Sequence, residues 1–104
     1  MNKSLSPAVL LFSLIVTSNI SQAASPYAGK AKAAEVCSQC HGIKTPSADA
    51  PFPPLAGRDA DYLQLALEQY RNKTRISPIM NNIAGSLTDR DINNIVSYYS
   101  RLKP

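Results

Sequence analysis

The sequence offers little from which to build a metal cluster or a disulfide framework. Its 104 residues include one histidine, two cysteines and two methionines. Three Cys and His side chains fall short of the four ligands of a structural zinc site. A bridge between Cys37 and Cys40 would close only a four-residue loop, which stabilises a chain little. No apolar run reaches the roughly 20 residues that cross a bilayer; the longest, residues 8–16, is about half that. No Lys/Arg cluster is interleaved with aromatics, which argues against a nucleic-acid partner. Eleven Lys and Arg stand against seven Asp and Glu, a formal charge of +4 that says little about partners. There is no alternating strand pattern, internal repeat or low-complexity tract.

What is present begins with an amino terminus that reads as an address. Lys3 precedes the apolar stretch 8–16, the chain turns polar at Thr17, and small residues follow at 21–24. This is the order of a secretory signal, and it predicts export to the periplasm. Cleavage is expected after Ala23, with Ala24 as the neighbouring choice, so residues 1–23 form the signal and residues 24–104 the mature domain. The competing reading is an uncleaved anchor. A mature chain of about 80 residues is marginal on hydrophobic burial alone, so a covalent or cofactor staple is expected.

The rest predicts an all-α fold. Residues 27–36 are rich in Ala and Lys behind Pro26, with Gly29 as the one weak helical residue. Four prolines between Gly42 and Gly57 leave an extended loop. Asp59 can cap a helix to about Lys73 in which Tyr62, Leu63, Ala66, Leu67 and Tyr70 share a face. Ser77 and Pro78 open a short helix that Gly85 would end. Thr88 and Asp91 resemble a capping box for a last helix with the stripe Ile92, Ile95, Val96, Tyr99 and Leu102.

Both cysteines and the histidine fall within Cys37-Ser38-Gln39-Cys40-His41. C-x-x-C-H is the spacing of c-type haem attachment: two thiols reach the two vinyl groups of one porphyrin, and the next side chain meets the iron. Three other readings stand beside it: a thioredoxin-like redox pair, an incomplete zinc site and a plain disulfide. For the iron's other axial position there is no second histidine, and Met1 leaves with the signal. Met80 is the remaining thioether, so His41 and Met80 are the expected metal ligands. The alternative is that Met80 fills the core and the iron stays open to a gas or a peroxide.

At these residues the chain resembles the single-haem class I cytochromes c, above all the half-domains of cytochrome c4 and small c553-type proteins. The likeness runs through C-S-Q-C-H-G, F-P-P-L-A-G at 52–57, D-Y-L-Q-L-A-L-E-Q-Y-R at 61–71 and I-M-N-N-I-A-G-S-L-T-D-R-D-I at 79–92. The resemblance implies three main helices and short helical turns wrapped around one covalently bound haem c. It implies that Met80 matches the family's iron-binding methionine. It further implies that the Pro53 carbonyl accepts a hydrogen bond from His41, that Leu55 packs on the haem, and that Gly29 lies where the first and last helices cross, opposite Ile95 and Tyr98. The function implied is one-electron transfer rather than catalysis. The expected partners are redox-protein donors and acceptors, a membrane-bound oxidase or reductase docked transiently, or a dehydrogenase subunit. The haem carboxylates have Arg58, Arg71, Arg75, Tyr62 and Tyr70 as candidate holders, which the sequence does not sort from solvated surface groups.

Overall fold

The computed structural model describes residues 23–46 and 51–104; the expected signal and its small-residue positions before Ala23 lie outside the described residues. Five helices follow in order: α1 (Pro26–Val36), α2 (Ser38–His41), α3 (Ala60–Asn72), α4 (Pro78–Gly85) and α5 (Asp89–Arg101). Among the described residues there is no strand. Three longer helices and two short ones agree with the all-α expectation.

Every helix but α2 starts where a side chain can accept an orphan amide. Ser25 takes the Ala28 N–H, Asp59 the Tyr62 N–H, Ser77 the Met80 N–H and Thr88 the Asp91 N–H. Thr88 and Asp91 close the box in both directions. The Asp91 carboxyl is held below its usual range, first by its bond from the Thr88 backbone. α3 ends through Lys73 at φ 66°, whose N–H returns to Gln69 and Tyr70. Gly85 ends α4 as expected: it is the helix's last residue, and Ser86 takes the cap.

The core is the seam between α1 and α5, widened by α3. Ala33, Leu63, Leu87, Ile92, Ile95, Val96 and Tyr99 are buried there as one cluster. α5 contributes most because its apolar residues recur on one helical face. α1 contributes small residues, which lets the two helices approach. A Cβ on Gly29 would lie 1.9 Å from the Asn94 carbonyl oxygen and 2.9 Å from Tyr98 Cβ. The sequence reading placed Ile95 and Tyr98 opposite Gly29; Tyr98 stands there, and the nearest backbone is that of Asn94, one residue before Ile95. Asn94 also accepts the Ser25 N–H at 2.8 Å, so one residue receives both the start and the middle of α1.

Candidate functional site

The second helix is the Cys-x-x-Cys-His motif coiled into a single turn. Sequence periodicity missed it, because four residues carry no period. Its Gly42 cap has φ +71°, a region where a side chain would be strained. The Tyr99 hydroxyl donates to the Gly42 carbonyl at 3.0 Å, and the Gly57 N–H donates to the Tyr99 carbonyl at 2.9 Å. One residue of α5 therefore ties both ends of the proline loop. Burial raises the Tyr99 pKa, which keeps that hydroxyl a donor.

Cys37 is buried, Cys40 is exposed, and their sulfurs are not joined. Burial pushes the Cys37 thiol up to about 11, opposed more weakly by Lys32. A dithiol made for exchange is activated by a depressed pKa, and the shift at Cys37 runs the other way. Among the described residues, no three His, Cys, Asp or Glu side chains converge to hold a metal ion.

His41 Nδ1 lies 2.7 Å from the Pro53 carbonyl oxygen. A carbonyl can only accept, so Nδ1 carries a proton, and Nε2 is the ring nitrogen left for another partner. That bond also fixes the ring's orientation. The Phe52 ring packs at 5.9 Å, tilted by 57°, against the imidazole. Phe52 was quoted within a motif but given no role; nothing local marks it.

Beside His41 opens a cavity of about 320 Å³. Cys37, Cys40, His41, Pro53, Leu55 and Met80 all line it, so every site residue expected from sequence comes to one place. α2 packs on α1 and α4 on α3, so His41 and Met80 enter from separate walls. Met80 is positioned by its neighbours. Asn81 accepts from the Ser77 N–H at 3.0 Å and donates to the Tyr70 and Arg75 carbonyls at 2.8 and 2.9 Å. Its amide thus binds the turn between α3 and α4 into one piece, a role the sequence analysis missed. Removing three hydrogen bonds of about 1 kcal/mol each, Asn81→Ala is expected to cost about 2–3 kcal/mol in urea unfolding. An unchanged midpoint would show that the amide is idle.

The residues fit a haem. The cavity's volume falls at the lower end of the roughly 300–1,000 Å³ of cofactor pockets. Most of its lining is apolar, through residues such as Leu63, Leu67, Ile83, Leu87, Ile95 and Val96. Its polar donors are two thiols, an imidazole with a free lone pair and a thioether, the set that c-type attachment and axial ligation require.

Known proteins agree. A family model described as cytochrome c oxidase, cbb3-type, subunit III matches residues 24–98. The chain is 35% identical over 91 residues to a thiosulfate dehydrogenase electron acceptor of Stutzerimonas stutzeri, covering 86% of this chain and 42% of that protein. It is 35% identical over 94 residues to a cytochrome c4 of Pseudomonas aeruginosa, covering 90% and 46%. The chain thus spans less than half the length of these two relatives. A cytochrome c-554(548) of Halomonas halodenitrificans is 35% identical over 80 residues and is covered over 96% of its own length. With a family match running through every element from the first helix into the last, the chain belongs to the class I, single-haem c-type cytochromes, electron-transfer proteins whose cofactor is a covalently bound haem c.

Proposed function

We propose that the chain is a periplasmic one-electron carrier in which Cys37 and Cys40 hold the haem and His41 and Met80 bind its iron. The observation that carries this reading is the meeting of all four side chains on one largely apolar cavity. The bound haem supplies one-electron chemistry at iron. His41 and Met80 would hold that iron between them, which would leave no open site for a substrate. Pro53 holds the His41 ring in one tautomer, and Asn81 and Ser77 hold the turn that presents Met80. Leu55 and the other apolar residues keep water from the site. A thioether ligand favours the ferrous form relative to a second histidine, so the potential is expected to be on the higher side of the haem range.

Export rests on the signal read at residues 1–23. No helix among the described residues is long and apolar enough to cross a membrane.

The ferric protein is expected to show the weak long-wavelength charge-transfer band of sulfur-ligated iron, and the ferrous protein to leave carbon monoxide unbound. Ready binding of carbon monoxide, with no such band, would instead assign an open iron that takes gas or peroxide.

A second reading is an electron-transfer subunit of a periplasmic oxidoreductase. Ile76 and Ile79, close to Met80 in the chain, are 77% and 57% exposed, and one relative is named for accepting electrons from a thiosulfate dehydrogenase. A carrier that docks transiently buries little area. Purification from the native periplasm separates the two readings: a carrier travels alone, and a subunit arrives with its dehydrogenase.

A further inference from the structure

The stretch from Gly42 to Gly57 carries the Pro53 carbonyl to His41, yet it has little of its own to hold it in place. Four of its residues are prolines and bring no amide. Among the described residues, no amide of 43–46 or 51–56 bonds another backbone group. Three hydrogen bonds join the described part of this loop to residues beyond its own neighbourhood. The Tyr99 hydroxyl donates to the Gly42 carbonyl at 3.0 Å, the Gly57 N–H to the Tyr99 carbonyl at 2.9 Å, and His41 Nδ1 to the Pro53 carbonyl at 2.7 Å. Two of the three belong to Tyr99.

Packing alone does not explain the hydroxyl. Tyr99 is 1% exposed and belongs to the core cluster. A phenylalanine would fill the same space and keep the edge contact with the Tyr98 ring at 5.1 Å. A buried hydroxyl costs free energy unless it finds a partner, and the partner here is the carbonyl of the residue after His41. Gly42 has φ +71° and no side chain to restrain it, so its backbone is the freest in the motif. Tyr99 fixes that carbonyl, and with it the direction in which the loop leaves His41. At the far end the loop lies against the tail: a Cβ on Gly57 would be 2.8 Å from Pro104 Cδ and 3.0 Å from the Leu102 carbonyl oxygen. Pro53 lies between these two fixed ends.

We propose that Tyr99 is a positioning residue for the His41 ligand: by fixing Gly42 and Gly57 it keeps the Pro53 carbonyl on Nδ1, and so sets the reduction potential of the protein. The proposal rests on His41 binding the iron. A metal-bound imidazole whose Nδ1–H is hydrogen-bonded is the stronger donor, and a stronger donor favours the ferric state. Hydrogen bonding around the axial ligand is one of the levers by which a protein tunes a haem. Loosening the loop therefore weakens the ligand and raises the potential.

The test compares Tyr99→Phe with the parent, both as intact, haem-loaded protein. The substitution removes one oxygen and no carbon, so the core stays filled. At a fixed potential the ferric-to-ferrous ratio is expected to fall by about threefold or more. In the reduced state the His41 Nδ1–H, followed by nuclear magnetic resonance, is expected to exchange with solvent about tenfold faster, as one hydrogen bond is lost. Ile92→Val is the control for lost stability, because Ile92 is buried in the same cluster but does not line the cavity. Its potential should match the parent's, and whatever exchange it gains measures global unfolding alone. Tyr99→4-aminophenylalanine, which restores a donor at the far end of the ring, should return both readouts most of the way. A Tyr99→Phe protein that keeps the parent's potential and exchanges no faster than Ile92→Val would overturn the assignment. So would either change without the other, since Tyr99 would then act on the loop alone or on the cavity alone. Were His41 not the iron's ligand, its ring protons in the reduced parent would lack the large ring-current shifts of a group seated over a porphyrin, which separates that failure from this one.

Discussion

Replacing Met80 with alanine is expected to turn an electron carrier into a ligand-binding haem protein without unfolding it. The variant should lose the long-wavelength band of the ferric state and bind carbon monoxide when reduced. Its potential should also fall: axial ligands tune haem potentials over roughly 0.8 V, and losing the thioether should account for a drop on the order of 0.1 V or more. The fold should survive because Met80 is only half-buried and lies outside the buried core cluster, on a short helix whose attachment comes from Asn81 and Ser77. The remaining links, Cys37, Cys40 and His41, sit on the other wall and are untouched. A Met80→Ala protein that keeps the parent's band and excludes carbon monoxide would remove Met80 from the iron. Adding imidazole to the variant supplies an internal check, since an open iron should take it up and return to a six-coordinate spectrum.

The parts of this molecule legible in its sequence are those in which the cause is local. A helix cap is decided within three residues, so Asp59, Ser77 and the Thr88–Asp91 box could be read directly and recur in the structure. The haem motif is equally local, since its chemistry depends on spacing over five positions. What could not be read are contacts between residues far apart in sequence. Tyr99 reaches Gly42 across 57 positions, and the stripe on α5 announces only that Tyr99 is inside, not that its hydroxyl closes the site. Asn81 looked like one of two ordinary asparagines in a helix. Its role exists only because the turn after α3 brings two carbonyls within reach of the same amide. The arginines show the same limit: three seemed equivalent until Asp89 was seen to hold Arg71 away from the cavity. Gly85 was legible for the same local reason as the caps: it ends α4, although with no positive φ there.

Gly29 gives the most severe test of the fold, and Gly85 supplies its control. Both are helical glycines, and on intrinsic propensity alone alanine at either should stabilise the helix by up to about 1 kcal/mol. Their surroundings separate them. A Cβ at Gly85 meets nothing within 4 Å, whereas at Gly29 it meets the Asn94 carbonyl oxygen at 1.9 Å and carbon at 2.5 Å. Those are backbone atoms in the middle of α5, so no rotamer change can relieve the overlap. Relief requires α1 and α5 to separate, and their contact holds the core around Ala33, Ile92 and Ile95. Overpacking a core typically costs about 1–3 kcal/mol when side chains can adjust, and here they cannot. Gly29→Ala is therefore expected to lose at least about 3 kcal/mol net of its helix propensity, a large fraction of the roughly 5–15 kcal/mol a domain commands. For a domain of this size that lowers the melting temperature by more than about 12 °C. Gly85→Ala should raise it slightly. Thermal unfolding of the haem-loaded proteins, followed by far-ultraviolet circular dichroism, reads both. If the two alanine variants melt together, close approach at Gly29 does not hold the fold, and the α1–α5 crossing has room that the described backbone denies.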